Sequence, residues 1–310
     1  MRIVIMGAGG LGGYFGARLA AAGNDVAFVA RGAHLAAIRQ DGLRVTSALG
    51  DLHLRDVAAT DDPSALAPAD VVIIGVKLWD TEAAAIAVKP LLRPGTAVVS
   101  FQNGVGKDDV LAGVLGREAV VGGVGQIGVA IASPGVIAHT GTMAKLIFGE
   151  LDNRRSARVE ALLSACTAAD IEAEIADDIG LAIWQKFVFL VGMSAVTSTM
   201  RSTIGPIRAN PQARGFLLDV VREAVAVGRA LGMALPEDYA DRRMAFIEAL
   251  PPQMTASMQG DLARGNRLEL PWLSSAVVEL GARAGVPTPL NRAVRDVLAL
   301  YVNGAPKGVD

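Results

Sequence analysis

The hexapeptide Gly7-Ala8-Gly9-Gly10-Leu11-Gly12 leaves few options for how this chain begins to fold. It fits the spacing G-x-G-x-x-G, and it stands between a short β-rich run, Arg2–Met6, and a helix-like segment over about 11–22. In that setting the first glycine permits a tight turn, the second lets backbone amides approach a pyrophosphate, and the third lets the helix pack closely on the strand. The N-terminus of the helix adds partial positive charge. The loop therefore points to a bound dinucleotide, with Gly7, Gly9, Gly10, Leu11 and Gly12 around its phosphates. A glycine-rich turn without a ligand is the plain alternative, and the register of strand, loop and helix weighs against it.

The rest of the first half repeats the same alternation. Strands are expected at 25–29, 71–76 and 96–100, with helices at roughly 33–40, 79–89 and 107–115. Runs such as VVIIGV are apolar at every position, which suits a parallel sheet covered on both faces, and right-handed crossovers then give a doubly wound, Rossmann-type domain. Between 119 and 149 the pattern changes to short β-rich runs divided by Ser133-Pro134-Gly135 and Thr140-Gly141, read as turns that add antiparallel strands to the sheet. A helix over 153–167 and a last strand over 171–175 follow, and Asp177-Asp178 can cap the long apolar helix beyond.

From there the pattern is helical, with breaks at Gly205-Pro206, Pro236, Pro251-Pro252, Pro271 and Pro287 to Pro289. The expected fold class is α/β: an N-terminal Rossmann-type doubly wound sheet (1–177) and a C-terminal all-α domain (178–310) that carries substrate and catalytic groups. A length of 310 residues suits two cores, with a ligand cleft between them.

Composition narrows the partners. A net charge of -2 and three histidines lack the basic excess of a nucleic-acid binder and give little material for a metal site. The single cysteine, Cys166, excludes an intrachain disulfide or a thiolate zinc cluster and fits a reducing cytoplasm. Glycines interrupt the apolar start, so it reads as strand and turn and not as a leader. The apolar run 187–196 has ten residues against the roughly 20 that a membrane span needs, and reads as a buried core helix. The apolar faces of the helical domain are compatible with a homodimer. No G-x-S-x-G occurs, and His34, His53 and His139 all fall in the first domain, which disfavours a serine hydrolase.

Arg31 follows the second strand, where NAD-selective sites place an acid for the ribose 2′-hydroxyl. A guanidinium there pairs with a 2′-phosphate, so NADPH/NADP+ is favoured over NADH. A solvated loop arginine is the alternative, with Arg18 or Arg39 as the phosphate partner.

Two further motifs end strands: Gly75-Val76-Lys77-Leu78-Trp79 and Ser100-Phe101-Gln102-Asn103-Gly104, with Lys77 and Asn103 26 positions apart. Together with the glycine loop, the His139-Thr140-Gly141 segment, and Lys186, Ser257 and Glu269, they resemble the ketopantoate reductase (2-dehydropantoate 2-reductase) family over essentially the whole chain. That resemblance implies reduction of a branched 2-oxo acid by NADPH, in pantothenate biosynthesis. It implies Lys77 and Asn103 as contacts to cofactor and substrate, Lys186 as the general acid, Glu269 as its catalytic companion, and Ser257 in the substrate pocket.

Lys186 lies within Ile183-Trp184-Gln185-Lys186-Phe187-Val188-Phe189-Leu190, a segment apolar enough that its lysine must be paired, snorkelling or functional. Asp261 shares a helical face with Ser257 and is read as supporting or merely solvated. The family typically carries asparagines four and eight residues after the lysine; here stand Leu190 and Ser194. Ser194, with Thr197, Ser198 and Thr199, offers hydroxyls to a substrate, or bonds back to its own helix. Two alternatives therefore stay open: a related NADP-dependent enzyme acting on a different carbonyl or 2-hydroxy acid, and an NADPH-binding regulatory protein without turnover.

Overall fold

Strand β1 (Arg2–Met6) is apolar at every inner position, and its side chains alternate between two cores: Ile3 and Ile5 face one, Val4 the other. The chain, described over residues 1–306 by a computed structural model, builds the rest of its first unit around this strand. In order follow α1 (Gly10–Ala21), β2 (Asp25–Val29), α2 (Gly32–Asp41), β3 (Leu43–Thr46), β4 (Leu52–Leu54), β5 (Ala58–Thr60), β6 (Val71–Ile74), α3 (Thr81–Val88), β7 (Ala97–Ser100) and α4 (Lys107–Leu115). Then come β8 (Val120–Ser133), β9 (Val136–Glu150), α5 (Ala157–Ala168) and β10 (Glu172–Ile175).

Six strands run parallel in the order β5-β2-β1-β6-β7-β8. That is the 3-2-1-4-5-6 arrangement of a dinucleotide fold, and its order reverses at β1, between β2 and β6. Helices α1, α2 and α5 supply Phe15, Leu19, Ile38 and Leu162 to one core; α3 and α4 supply Ala85, Val88 and Leu111 to the other. All four residues of β6 are buried, as a strand covered on both faces requires.

The region beyond β7 departs from the expected series of short strands. Strands β8 and β9 form one long antiparallel hairpin that turns at Pro134-Gly135, and β9 gives its other edge to β3 and β10, both parallel to it. Thr140-Gly141 does not divide strands. Four residues, 140–143, bulge out of β9 opposite Gly128, with Gly141 at φ +79°. The His139 ring closes this bulge through Nε2 to the Met143 carbonyl at 3.1 Å, while Ser47 Oγ meets Nδ1 at 2.8 Å.

Two other limits move. β6 ends at Ile74 and not at residue 76, because Gly75 lies against the glycine loop, where an added Cβ would stand 2.9 Å from the Gly7 carbonyl oxygen. Helix α5 starts after Ser156, whose hydroxyl caps it; Asn153 sits in the left-handed region at φ 62°, and its Oδ1 accepts from the Ile179 amide.

The helical elements are α6 (Ile179–Thr199), α7 (Ile204–Ala209), α8 (Pro211–Ala230), α9 (Tyr239–Glu248), α10 (Ser257–Ala263), α11 (Ser274–Ala284) and α12 (Pro289–Leu298). Asp178 Oδ1 accepts from the Leu181 amide and so caps α6. Gly205-Pro206 does not break a helix; it lies in the first turn of α7, where a missing proline N–H removes no intrahelical bond. At 21 residues α6 is long and apolar enough to cross a membrane by length and composition, longer than the ten-residue run suggested, and 61% of its most apolar window is buried within the fold. Contacts divide the chain into two compact units, residues 1–102 with 106–182, and residues 103–105 with Ile183 onward.

Candidate active site

The glycine loop leaves β1 and enters α1 at the point where the strand order reverses. Gly7 has φ +103°, and a Cβ on it would fall 2.7 Å from the Val76 amide nitrogen, so no other residue fits without moving the β6 end. At Gly12 an added Cβ would stand 2.2 Å from the Gly7 carbonyl oxygen, which forces the helix to pack backbone on backbone. Above Gly9 the space is open. The first amides of an α-helix have no acceptor one turn back, and Gly9 brings no side chain to cap them. The result is a cradle of backbone donors, with Leu11 half-buried against Gly125, that fits a dinucleotide pyrophosphate.

His34 holds this cradle and was not singled out from sequence. Its Nε2 lies 2.8 Å from the Ala8 carbonyl, and the Gly135 amide donates to Nδ1 at 3.0 Å. A carbonyl only accepts and an amide only donates, so Nε2 donates to Ala8 and Nδ1 accepts from Gly135. Gln102 is a second brace: its amide donates to the Val76 carbonyl at 2.8 Å and to Thr81 Oγ1 at 2.9 Å, and its Oε1 accepts from Ser100. The ends of β6 and β7 are thereby tied together.

Arg31 emerges at the carboxyl end of β2 as the residue before α2, exposed, with Nη2 2.9 Å from Asp80 Oδ2. The other candidate arginines are engaged elsewhere: Arg18 donates to the Leu49 and Gly50 carbonyls, and Arg39 to the Ala59 carbonyl. Lys77 is exposed just past β6, with its ammonium 5.7 Å from the Trp79 ring centroid.

In the helical unit, Lys186 is half-buried on α6, and Leu190 and Ser194 follow it at one-turn spacing on the same face. Ser194 is only 2% exposed. Thr197 and Thr199 donate back to the carbonyls of Met193 and Ala195, the helix-internal use. Asn103, which directly follows Gln102 in the chain, packs with this unit and donates from Nδ2 to Glu269 Oε2 at 3.2 Å. Glu269 is buried and accepts that bond across 166 positions of sequence. Ser257 is exposed at the first position of α10 and does not cap it. Asp261 is buried and accepts from Arg264 and Asn266, which makes it a brace of the loop after α10.

Reactive groups away from these clusters are muted. Burial pushes the Cys166 thiol up to about 12, so it stays protonated at neutral pH. Lys107 and Asp108 form a buried pair at the start of α4; desolvation raises the Asp108 carboxyl, and the ammonium of Lys107 opposes that rise. Among the described residues, no group of three or more His, Cys, Asp or Glu side chains could hold a metal ion.

Comparison with known proteins agrees with these features. Residues 3–153 match the family described as ketopantoate reductase PanE/ApbA, and residues 178–302 match its C-terminal counterpart. The chain is 34% identical to a 2-dehydropantoate 2-reductase from Mesorhizobium japonicum, over 95% of each chain. It superposes with a TM-score of 0.89 on the crystal structure of a PanE/ApbA family ketopantoate reductase from Ralstonia eutropha JMP134, at 33% identity, covering 97% of this chain and 98% of that one. D-mandelate dehydrogenase, solved in a ternary structure with NADH and anilino(oxo)acetate, shares the fold at a TM-score of 0.89 and 20% identity, covering 97% and 98% of the two chains.

Proposed function

The chain belongs to the ketopantoate reductase family, and on that premise we propose that it reduces 2-dehydropantoate to pantoate with Lys186 as the proton donor. At the coarser level it is an NADP-dependent oxidoreductase that reduces a 2-oxo acid to the CH–OH compound, with NADPH as its cofactor. Bound NADPH supplies hydride to the carbonyl carbon. The cradle formed by Gly7, Gly9, Gly10, Leu11 and Gly12 holds the pyrophosphate, and Arg31 and Lys77 are the cations at the two neighbouring strand ends.

The remaining chemistry falls to this chain's side chains. As the carbonyl carbon gains hydride, its oxygen becomes an alkoxide and needs one proton. The ammonium of Lys186 donates it and leaves a neutral amine, which solvent reprotonates. Asn103 and Glu269, joined at 3.2 Å, position polar groups of the substrate, with Ser257 and Ser194 as further hydroxyls. The observation that carries this reading is that bond: two motif residues far apart in sequence meet in the unit that also holds Lys186. A domain division near 177, cytoplasmic location and a homodimer complete the reading.

A second reading concerns the substrate alone. Half-buried Leu190 and buried Ser194 stand where the family typically has two amides, and a leucine cannot hydrogen-bond a polar substituent. This favours a 2-oxo acid with a less polar side chain.

The test is to follow NADPH absorbance with 2-dehydropantoate and with less polar 2-oxo acids, for the wild type and Lys186→Ala. We expect turnover with 2-dehydropantoate that falls roughly 10²- to 10⁴-fold in the variant, the range for loss of a general acid. Faster turnover of an apolar 2-oxo acid would shift the substrate to the second reading. Undiminished turnover by the variant would remove Lys186 from the role.

A further inference from the structure

At the carboxyl end of β2, a doubly wound fold reads the ribose 2′ position of its dinucleotide. In this chain the residue standing there, Arg31, does not face the site as an isolated cation. Its Nη2 donates to Asp80 Oδ2 at 2.9 Å, with 77% of the Arg31 side chain and 34% of the Asp80 side chain exposed. The two residues approach from opposite sides of the switch point, Arg31 after β2 and Asp80 from the turn after β6.

Asp80 is not a wandering surface acid. It closes the short 3-10 turn Leu78–Asp80, in which Leu78 is buried and the Asp80 amide donates to the Lys77 carbonyl at 2.9 Å. Next to it, Thr81 Oγ1 donates to the Leu78 carbonyl and is itself held by Gln102. The carboxylate is therefore presented from a braced turn at the place where Arg31 reaches.

Opposite consequences follow for the two nicotinamide dinucleotides. A 2′-phosphate carries a charge of about −1.5 to −2 at neutral pH and must share Arg31 with a carboxylate that repels it. An unphosphorylated ribose offers a 2′-hydroxyl instead, and a carboxylate accepts its hydrogen bond while neutralising the arginine that would otherwise be left without a counter-charge. Arg31 alone makes an NADPH site; Arg31 paired with Asp80 holds recognition groups for both.

We propose that Asp80 is a specificity-determining residue that lets the nucleotide unit of this chain accept NADH alongside NADPH. The inference rests on the cofactor assignment above and refines it. A role for Asp80 merely in steering Arg31 toward a phosphate predicts the opposite response to its removal.

The experiment is direct titration of each dinucleotide by calorimetry, without substrate, for the wild type, Asp80→Asn and Arg31→Gln. In the wild type we expect the two dissociation constants to lie within about tenfold of each other. Asp80→Asn should tighten NADPH roughly fivefold, the upper end for one exposed charge contact, and weaken NADH by a similar factor. The NADPH gain should shrink as salt rises. Arg31→Gln should weaken NADPH and spare NADH. Weaker NADPH binding by Asp80→Asn, or a ratio that does not move, overturns the inference and leaves NADPH as the cofactor. A wild type that binds neither dinucleotide overturns the cofactor assignment and this inference with it.

Discussion

His34 shows how a single ring can set the shape of a binding loop. Both of its nitrogens are engaged, one by the Ala8 carbonyl and one by the Gly135 amide, so the glycine loop is tied through α2 to the tip of the β8–β9 hairpin. Removing the ring leaves a carbonyl and an amide without their partner, and each such loss costs about 1–3 kcal/mol where the group is buried. His34→Ala should therefore weaken NADPH binding by roughly tenfold or more and lower the melting temperature. Calorimetric titration and a thermal melt check both, and unchanged NADPH affinity would mean that the loop holds its shape without the ring.

Elements here are joined by a few buried polar contacts. Helix α5 is fixed to the end of β9 by Arg158, which donates to both oxygens of Glu150, at 2.7 and 2.6 Å, and also to the Thr96 carbonyl at the start of β7. Burial would raise the Glu150 carboxyl, but the bonds from Arg158 and Ser156 outweigh it and hold the group below its ordinary value. A carboxylate depressed in the folded state contributes stability that is fully present above its unfolded value, about 4.3, and is lost as pH falls through the lower folded value. Glu150→Gln should destabilise by about 3 kcal/mol at neutral pH, since it strands a nearly buried guanidinium. Urea titrations at several pH values should show the gap between wild type and variant narrowing below about pH 4. A gap independent of pH would mean that packing, and not charge, carries the contact.

For the whole molecule, the division into two units separates the residues proposed to bind cofactor from the lysine proposed to donate the proton. The cradle, Arg31 and Lys77 belong to the sheet unit; Lys186, Glu269, Ser257 and Asn103 belong to the helical one. Saturating NADPH should stabilise the protein by about 2.7 kcal/mol at a hundredfold excess over its dissociation constant. Lys186→Ala should keep that stabilisation while losing turnover, as scanning calorimetry beside the rate assay will read. Loss of both would assign Lys186 to the integrity of the fold.

What the amino-acid sequence determined by itself is the set of features governed by local physics. The glycine loop could be read because each glycine answers a backbone requirement within a few residues, and Arg2–Met6 and Asp25–Val29 because strands covered on both faces are apolar at their inner positions. The two-part organisation, a sheet first and helices after it, could be read from the change of period along the chain. The motif positions Lys77, Asn103, Lys186 and Glu269 were visible as residue types, though not as neighbours. Tertiary structure decided whatever depends on distant segments meeting: the bulge at 140–143, which sequence offers as a turn because both need a glycine at positive φ; the sharing of β9 by β3 and β10; the engagement of His34; and the bond from Asn103 to Glu269. It also decided the partner of Arg31. A charge declares its sign in the sequence, but whether it stands alone or beside an opposite charge 49 positions away is settled only when the ends of two strands flanking β1 are brought to the same edge of the sheet.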